Sequence, residues 1–117
     1  MSRLTRQLSD LYYAVTSIPK KVYQKLTRGF SDDEVWSLDS TIVKFTLPRL
    51  RQFEKEVHGY PYTVESLDNW KGMLLLMIHA MELYVEDMGG GILTEAEEEL
   101  MKIGMDLFYE YFGSLWN

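Results

Sequence analysis

Leu67, Trp70, Leu74, Met77, Met81 and Tyr84 follow one another at steps of three, four, three, four and three, and no other feature of the chain restricts its fold as strongly. This spacing brings large apolar side chains to one side of an α-helix, along a seam where other helices must pack. Met73, Leu75, Leu76, Ile78, Leu83 and Val85 widen the stripe. The helix, set at about residues 64–87, is therefore either deeply buried or also faces a second subunit, which leaves a homo-oligomer open. The turn His58-Gly59-Tyr60-Pro61 precedes it, and Gly89-Gly90-Gly91 ends it.

Two further helices are marked by their first residues. Ser31-Asp32-Asp33-Glu34 and Thr94-Glu95-Ala96-Glu97 each place a glutamate three positions after a hydroxyl residue, the capping box in which both side chains satisfy free backbone N–H groups. The first box opens a helix over 31–56. Its apolar residues Val35, Trp36, Leu38, Ile42, Val43, Phe45, Leu47, Leu50 and Phe53 fall on more than one face and predict a central core element. Asp39 offers a second N-cap, with a restart at Ser40, and Pro48 should bend the helix and free the Lys44 carbonyl. The second box opens a helix over 94–113, with Leu100, Ile103, Leu107 and Tyr111 on its apolar side. Near the N-terminus, Leu4, Leu8, Leu11, Tyr12, Val15, Ile18, Val22 and Leu26 draw one stripe through residues 1–28. Pro19 interrupts it, giving one kinked helix or two helices meeting near Ile18. The expected fold is an all-α bundle of four main helices in a single domain, residues 1–117.

Charge is divided unevenly along this pattern. Residues 1–28 carry six basic side chains (Arg3, Arg6, Lys20, Lys21, Lys25 and Arg28) against Asp10 alone, whereas residues 29–117 carry six against seventeen acidic ones. The net charge of -6 argues against general nucleic-acid affinity, because neutralising phosphates takes a positive surface. The basic face fits a solvated helix, a contact to the acidic part within the fold or between subunits, or surface association of residues 3–28 with an anionic membrane. Much of the acidic excess has a local cause: Glu95, Glu97, Glu98 and Glu99 lie in a first turn, where the helix dipole favours negative charge. The longest apolar run, Met73 to Ile78, is too short to span a bilayer. The N-terminus also lacks a continuous apolar block with a small-residue cleavage site, which makes the cytoplasm the default expectation.

Catalytic constellations are sparse. The chain has no cysteine, which removes thiol nucleophiles, disulfides and Cys-ligated metals. His79 and Glu82 share a helix face, but the second Glu-x-x-His pair that a di-metal bundle requires is missing. Glu98-Glu99 is followed by Lys102 where a magnesium-binding helix would need a third carboxylate. Neither a catalytic residue, a metal ligand nor a cofactor is assigned, and the expectation is a non-enzyme. The polar residues Asp39, Lys44, Arg49 and Arg51 interrupt a largely apolar helix; Asp39 and Arg49 are too far apart to pair within it and, if buried, need partners from elsewhere, with Glu82 a candidate. Buried, they form a structural staple, the favoured reading; exposed, they form a binding site. Tyr109, Tyr111 and Trp116 form a candidate partner surface, because aromatic side chains are enriched where proteins meet.

The stretch Trp36-Ser37-Leu38-Asp39, then Leu47-Pro48-Arg49-Leu50, Gly59-Tyr60-Pro61, Trp70 and Met77-Ile78-His79-Ala80-Met81-Glu82 resembles a group of small uncharacterised tailed-bacteriophage proteins over residues 36–83. The resemblance implies a viral accessory protein made inside a bacterial cell and implies no activity. The leading expectation is a protein that binds a host or phage macromolecule, for instance as an inhibitor of host defence. The alternative is a binder that captures a nucleotide signal through Lys44, Arg49 or Arg51, followed by a carboxylate metal hydrolase.

Overall fold

In the computed structural model, which describes Thr5, Gln7, Leu8 and residues 19–117, the chain forms an all-α bundle. Its elements are α1 (Lys20–Arg28), α2 (Asp32–Trp36), α3 (Leu38–Glu56), α4 (Leu67–Met88), α5 (Glu95–Glu110) and a 3-10 turn (Phe112–Ser114). Of the Leu4 to Ile18 part of the N-terminal stripe only Leu8 is described, and it is exposed; the rest lies outside the described residues. Two compact units result, residues 1–38 and 39–117.

In the first unit, Pro19 is the residue before α1, and its carbonyl accepts the Val22 and Tyr23 N–H groups at 2.9 and 3.1 Å. A proline suits this place, since the N–H it lacks would have had no helical partner. Gly29 ends α1 at φ +87°, a left-handed cap open to glycine at little cost. No residue of α1 is buried, and Val22 and Leu26, the end of the apolar stripe, are exposed. Charge holds α1 to α2 instead. Lys20 and Arg28 reach Asp32 at 3.4 and 2.5 Å, Lys21 reaches Asp33 at 2.8 Å, and Lys25 lies 3.7 Å from Glu34. Gln24 and Asp32 exchange two hydrogen bonds of 2.7 and 2.8 Å. The basic face predicted from the sequence therefore meets the acidic capping box next to it in the chain. The box itself forms as expected: the Ser31 N–H donates to Glu34 at 2.5 Å, and the Ser31 hydroxyl, fully buried, donates to Asp33.

The helix expected over 31–56 divides at Ser37. There ψ reaches 61° and turns the backbone out of the helix after only five residues. The sequence pointed to a restart at Asp39–Ser40; α3 instead begins at Leu38. Nor is this segment the core element. Only Val43, Leu47 and Leu50 of α3 are buried, while Leu38, Ile42 and Phe45 stay exposed.

In the second unit the core is built on α4, as its seam requires. Trp70, Leu74, Met77, Ile78, Ala80, Met81 and Leu83 are buried, with Leu67 and Tyr84 partly covered at its ends. Beside α4, α5 comes unusually close: a Cβ built on Gly104 would overlap the Ala80 methyl and approach the Leu76 carbonyl oxygen to 2.5 Å. Small residues at both positions let the two backbones meet. Ser66 caps α4 by accepting the Asn69 N–H at 3.1 Å, and Thr94 caps α5 by accepting that of Glu97. Gly90, at φ +88°, turns the chain between them. Because that turn is short, α5 returns antiparallel to α4. The Trp70–Tyr111 ring contact, 5.6 Å between centroids, fixes the end of α5 beside the start of α4.

Candidate functional site: an aromatic cleft at one end of the second unit

The polar residues singled out in the sequence are all exposed. The buried cluster is therefore corrected to two surface contacts between α3 and α4 and one within α3. The Tyr84 hydroxyl donates to Asp39 at 2.6 Å, which holds the Asp39 carboxyl below its ordinary range and pushes the Tyr84 phenol up. Arg51, rather than Arg49, meets Glu82, at 3.4 Å, and the His79 ring lies 4.0 Å from the same carboxylate. Arg49 turns back along its own helix. Its guanidinium donates to the Phe45 carbonyl at 2.8 Å and lies 3.6 Å over the Phe45 ring. This contact sits beside Pro48, where the missing N–H loosens the carbonyl ladder, and α3 continues through the proline to Glu56. Lys44 stands exposed on the same helix. Arg49 and Arg51 are thus committed to intramolecular partners, and no shared cationic pocket forms from them.

The aromatic candidates separate. Tyr109 is 86% exposed and Trp116 77%, whereas Tyr111 packs on Trp70 and belongs to the edge of the core, a correction to its reading as a partner-facing residue. Trp116 lines a cleft that the sequence did not disclose. After α3 the Val57 N–H bonds back to Phe53 at 2.8 Å and its side chain enters the core, so the chain leaves the bundle at His58. Pro61 then starts a turn closed by the Val64 N–H at 2.9 Å. From the other side, the 3-10 turn directs Leu115 inward and Trp116 outward. His58, Tyr60, Pro61, Tyr62 and Thr63 form one wall, Ser114, Trp116 and Asn117 the other, and Trp70 the floor of a cavity of about 500 Å3. The two walls are joined by a long contact, 3.5 Å, from the His58 N–H to the Asn117 side-chain oxygen.

Two features give the cleft chemical character. Tyr62 is 98% exposed and Tyr60 half exposed, on a backbone stiffened by the proline between them. Trp70 is only 1% exposed, yet its indole N–H hydrogen-bonds to none of the described residues. Among the described residues no buried side-chain nitrogen or oxygen is left without a partner, so that donor is not closed off from solvent, and Trp70 lines the cleft. Thr63 also borders a second groove, running past Glu65, Asp68 and Asn69 to Tyr111, which brings carboxylates to the edge of the aromatic surface. Separately, Tyr109 and Phe112 flank an open hollow on α5 with Met105, Phe108 and Glu110. The sequence singles out neither Tyr60 nor Tyr62 as a surface residue, since Gly59-Tyr60-Pro61 marks a turn and a motif of the resemblance. The density of large aromatics in a turn was the available signal.

Among the described residues no group of three or more His, Asp or Glu is placed to hold a metal ion, and no helix is long and apolar enough to cross a membrane. Compared with known proteins, the chain is matched by no family model, no curated protein and no solved structure.

Proposed function

We propose that the chain acts by docking a macromolecular partner, a protein, on the aromatic end of residues 39–117. One observation carries this reading: Tyr60, Tyr62 and Trp116 remain exposed around a single cleft whose floor, Trp70, packs on Tyr111. Large aromatic rings left in water at one place gain most when a partner covers them, and Tyr and Trp dominate the energetics of such contacts. Acidic residues beside them favour a partner with basic groups. The resemblance to tailed-phage proteins suggests where to look, a bacterial cell in which a host protein, such as a defence component, is the target. The nucleotide-binding alternative, through Lys44, Arg49 or Arg51, gains no support, since Arg49 and Arg51 are already engaged and Lys44 lines none of the clefts described above.

The test is capture from bacterial lysate on the immobilised full chain, run beside a Tyr62→Ala/Trp116→Ala double variant that keeps its helical circular dichroism. A protein held stoichiometrically by the native chain and lost with the variant supports the reading. Equal capture by both, or none by either, ends it.

A further inference from the structure

We infer that the cleft takes a proline-rich, extended peptide segment of the partner, flanked by basic residues. The inference rests on the docking reading above and names the chemistry it would recognise. Three properties of the cleft select this occupant over others. Its walls are rings, Tyr60, Tyr62 and Trp116, with Pro61 between the tyrosines, a surface that matches the flat apolar faces of prolines in a polyproline II helix. Its floor is Trp70, whose indole N–H hydrogen-bonds to none of the described residues. A polyproline II segment presents carbonyl oxygens that no internal hydrogen bond consumes, so it supplies that N–H with an acceptor. Finally, the groove that continues from Thr63 carries Glu65 and Asp68, which would meet Arg or Lys beyond the proline run. A quaternary ammonium would use the rings but leave the indole donor unsatisfied, and a nucleotide would bring its phosphates against the same carboxylates. The stiff segment also loses little chain entropy on binding, which suits a small, open cleft.

Titration of the full chain with a synthetic ten-residue peptide holding a Pro-x-x-Pro core followed by two arginines tests this, read by nitrogen-proton spectra of the three tryptophan indoles. Trp36→Phe and Trp116→Phe assign their own signals and leave Trp70 identified. The expected result is a saturable downfield shift of the Trp70 indole proton, with affinity falling about tenfold when the prolines are replaced by alanine, and again for Tyr62→Ala. Replacing the two arginines with glutamate weakens binding further. The inference is overturned if the Trp70 signal stays fixed at millimolar peptide, or if the alanine-substituted peptide binds as well as the proline one. A silent titration alongside lysate capture that depends on Tyr62 and Trp116 removes the proline-rich class and leaves the docking reading standing. Failure of both experiments removes both.

Discussion

Residues 20–36 and residues 39–117 are held together by different forces. α1 buries none of its side chains and is joined to α2 through Lys20, Lys21, Gln24, Lys25 and Arg28 meeting Asp32, Asp33 and Glu34. The second unit closes around Trp70, Leu74, Met77 and Met81, with scarcely any charge inside. Burial is non-directional and is not screened by salt, whereas exposed ion pairs weaken with both salt and acid. The two parts of one short chain should therefore fail under different conditions.

The largest effect separates them by packing. Leu74→Ala removes a fully buried side chain from the seam and should cost the second unit about 2–5 kcal/mol. Thermal unfolding followed at the Trp70 near-ultraviolet signal measures it, and a loss below about 1 kcal/mol would contradict the assignment of the core to α4. Next comes Gly104→Ala, which ordinarily favours a helix but here drives a methyl into Ala80 and the Leu76 carbonyl. The expected cost is about 1–3 kcal/mol, and stabilisation would show that the α4–α5 approach is looser than described.

Acid should break the comparison from the other side. Gln24 and then Arg28 lower the Asp32 carboxyl to about 2, and Lys21 and then Ser31 do the same for Asp33. Carboxyls whose folded values are depressed contribute stability that is complete above their unfolded value near 4 and disappears as pH falls toward 2. Protection of the α1 amides, taken relative to the intrinsic exchange rate at each pH, should therefore fall across that window, and on adding molar salt at neutral pH, while that of the α4 amides holds. A parallel loss of protection in α4 would show that the two units are not held by different forces. The smallest effect is Arg51→Ala, which deletes an exposed pair with Glu82 and should change stability by less than about 1 kcal/mol. A larger loss would mean that surface charge also supports the second unit.

The residues differ in how much of this they disclosed. Both capping boxes formed where Ser31 and Thr94 placed them, because a cap is settled within four consecutive residues. The seam of α4 was equally legible, since periodicity alone states which side must be buried. The break at Ser37 was legible only in part, as a restart offered two residues later at Asp39–Ser40. It separates a short helix whose acids answer the bases of α1 from a longer one whose Val43, Leu47 and Leu50 answer α4, and neither pull is visible in local propensity. The pairing of Glu82 with Arg51 was missed for a similar reason. Two residues apart on a helix, Arg49 and Arg51 point in nearly opposite directions, and only the packing of α3 on α4 decides which faces Glu82.

The cleft lay furthest from reach. Its walls are contributed by residues 58–63 and 114–117, more than fifty positions apart, and they adjoin because the Gly89–Gly91 turn sends α5 back along α4. The sequence by itself determined which of the described segments are helical, where the two capping boxes start α2 and α5, which face of α4 is buried and that the basic and acidic stretches could neutralise each other, all matters of neighbours within one or two helical turns. Only the tertiary structure decided that Tyr111 belongs to the core edge while Trp116 faces Tyr60 and Tyr62, because exposure of an aromatic ring depends on what the rest of the chain brings against it.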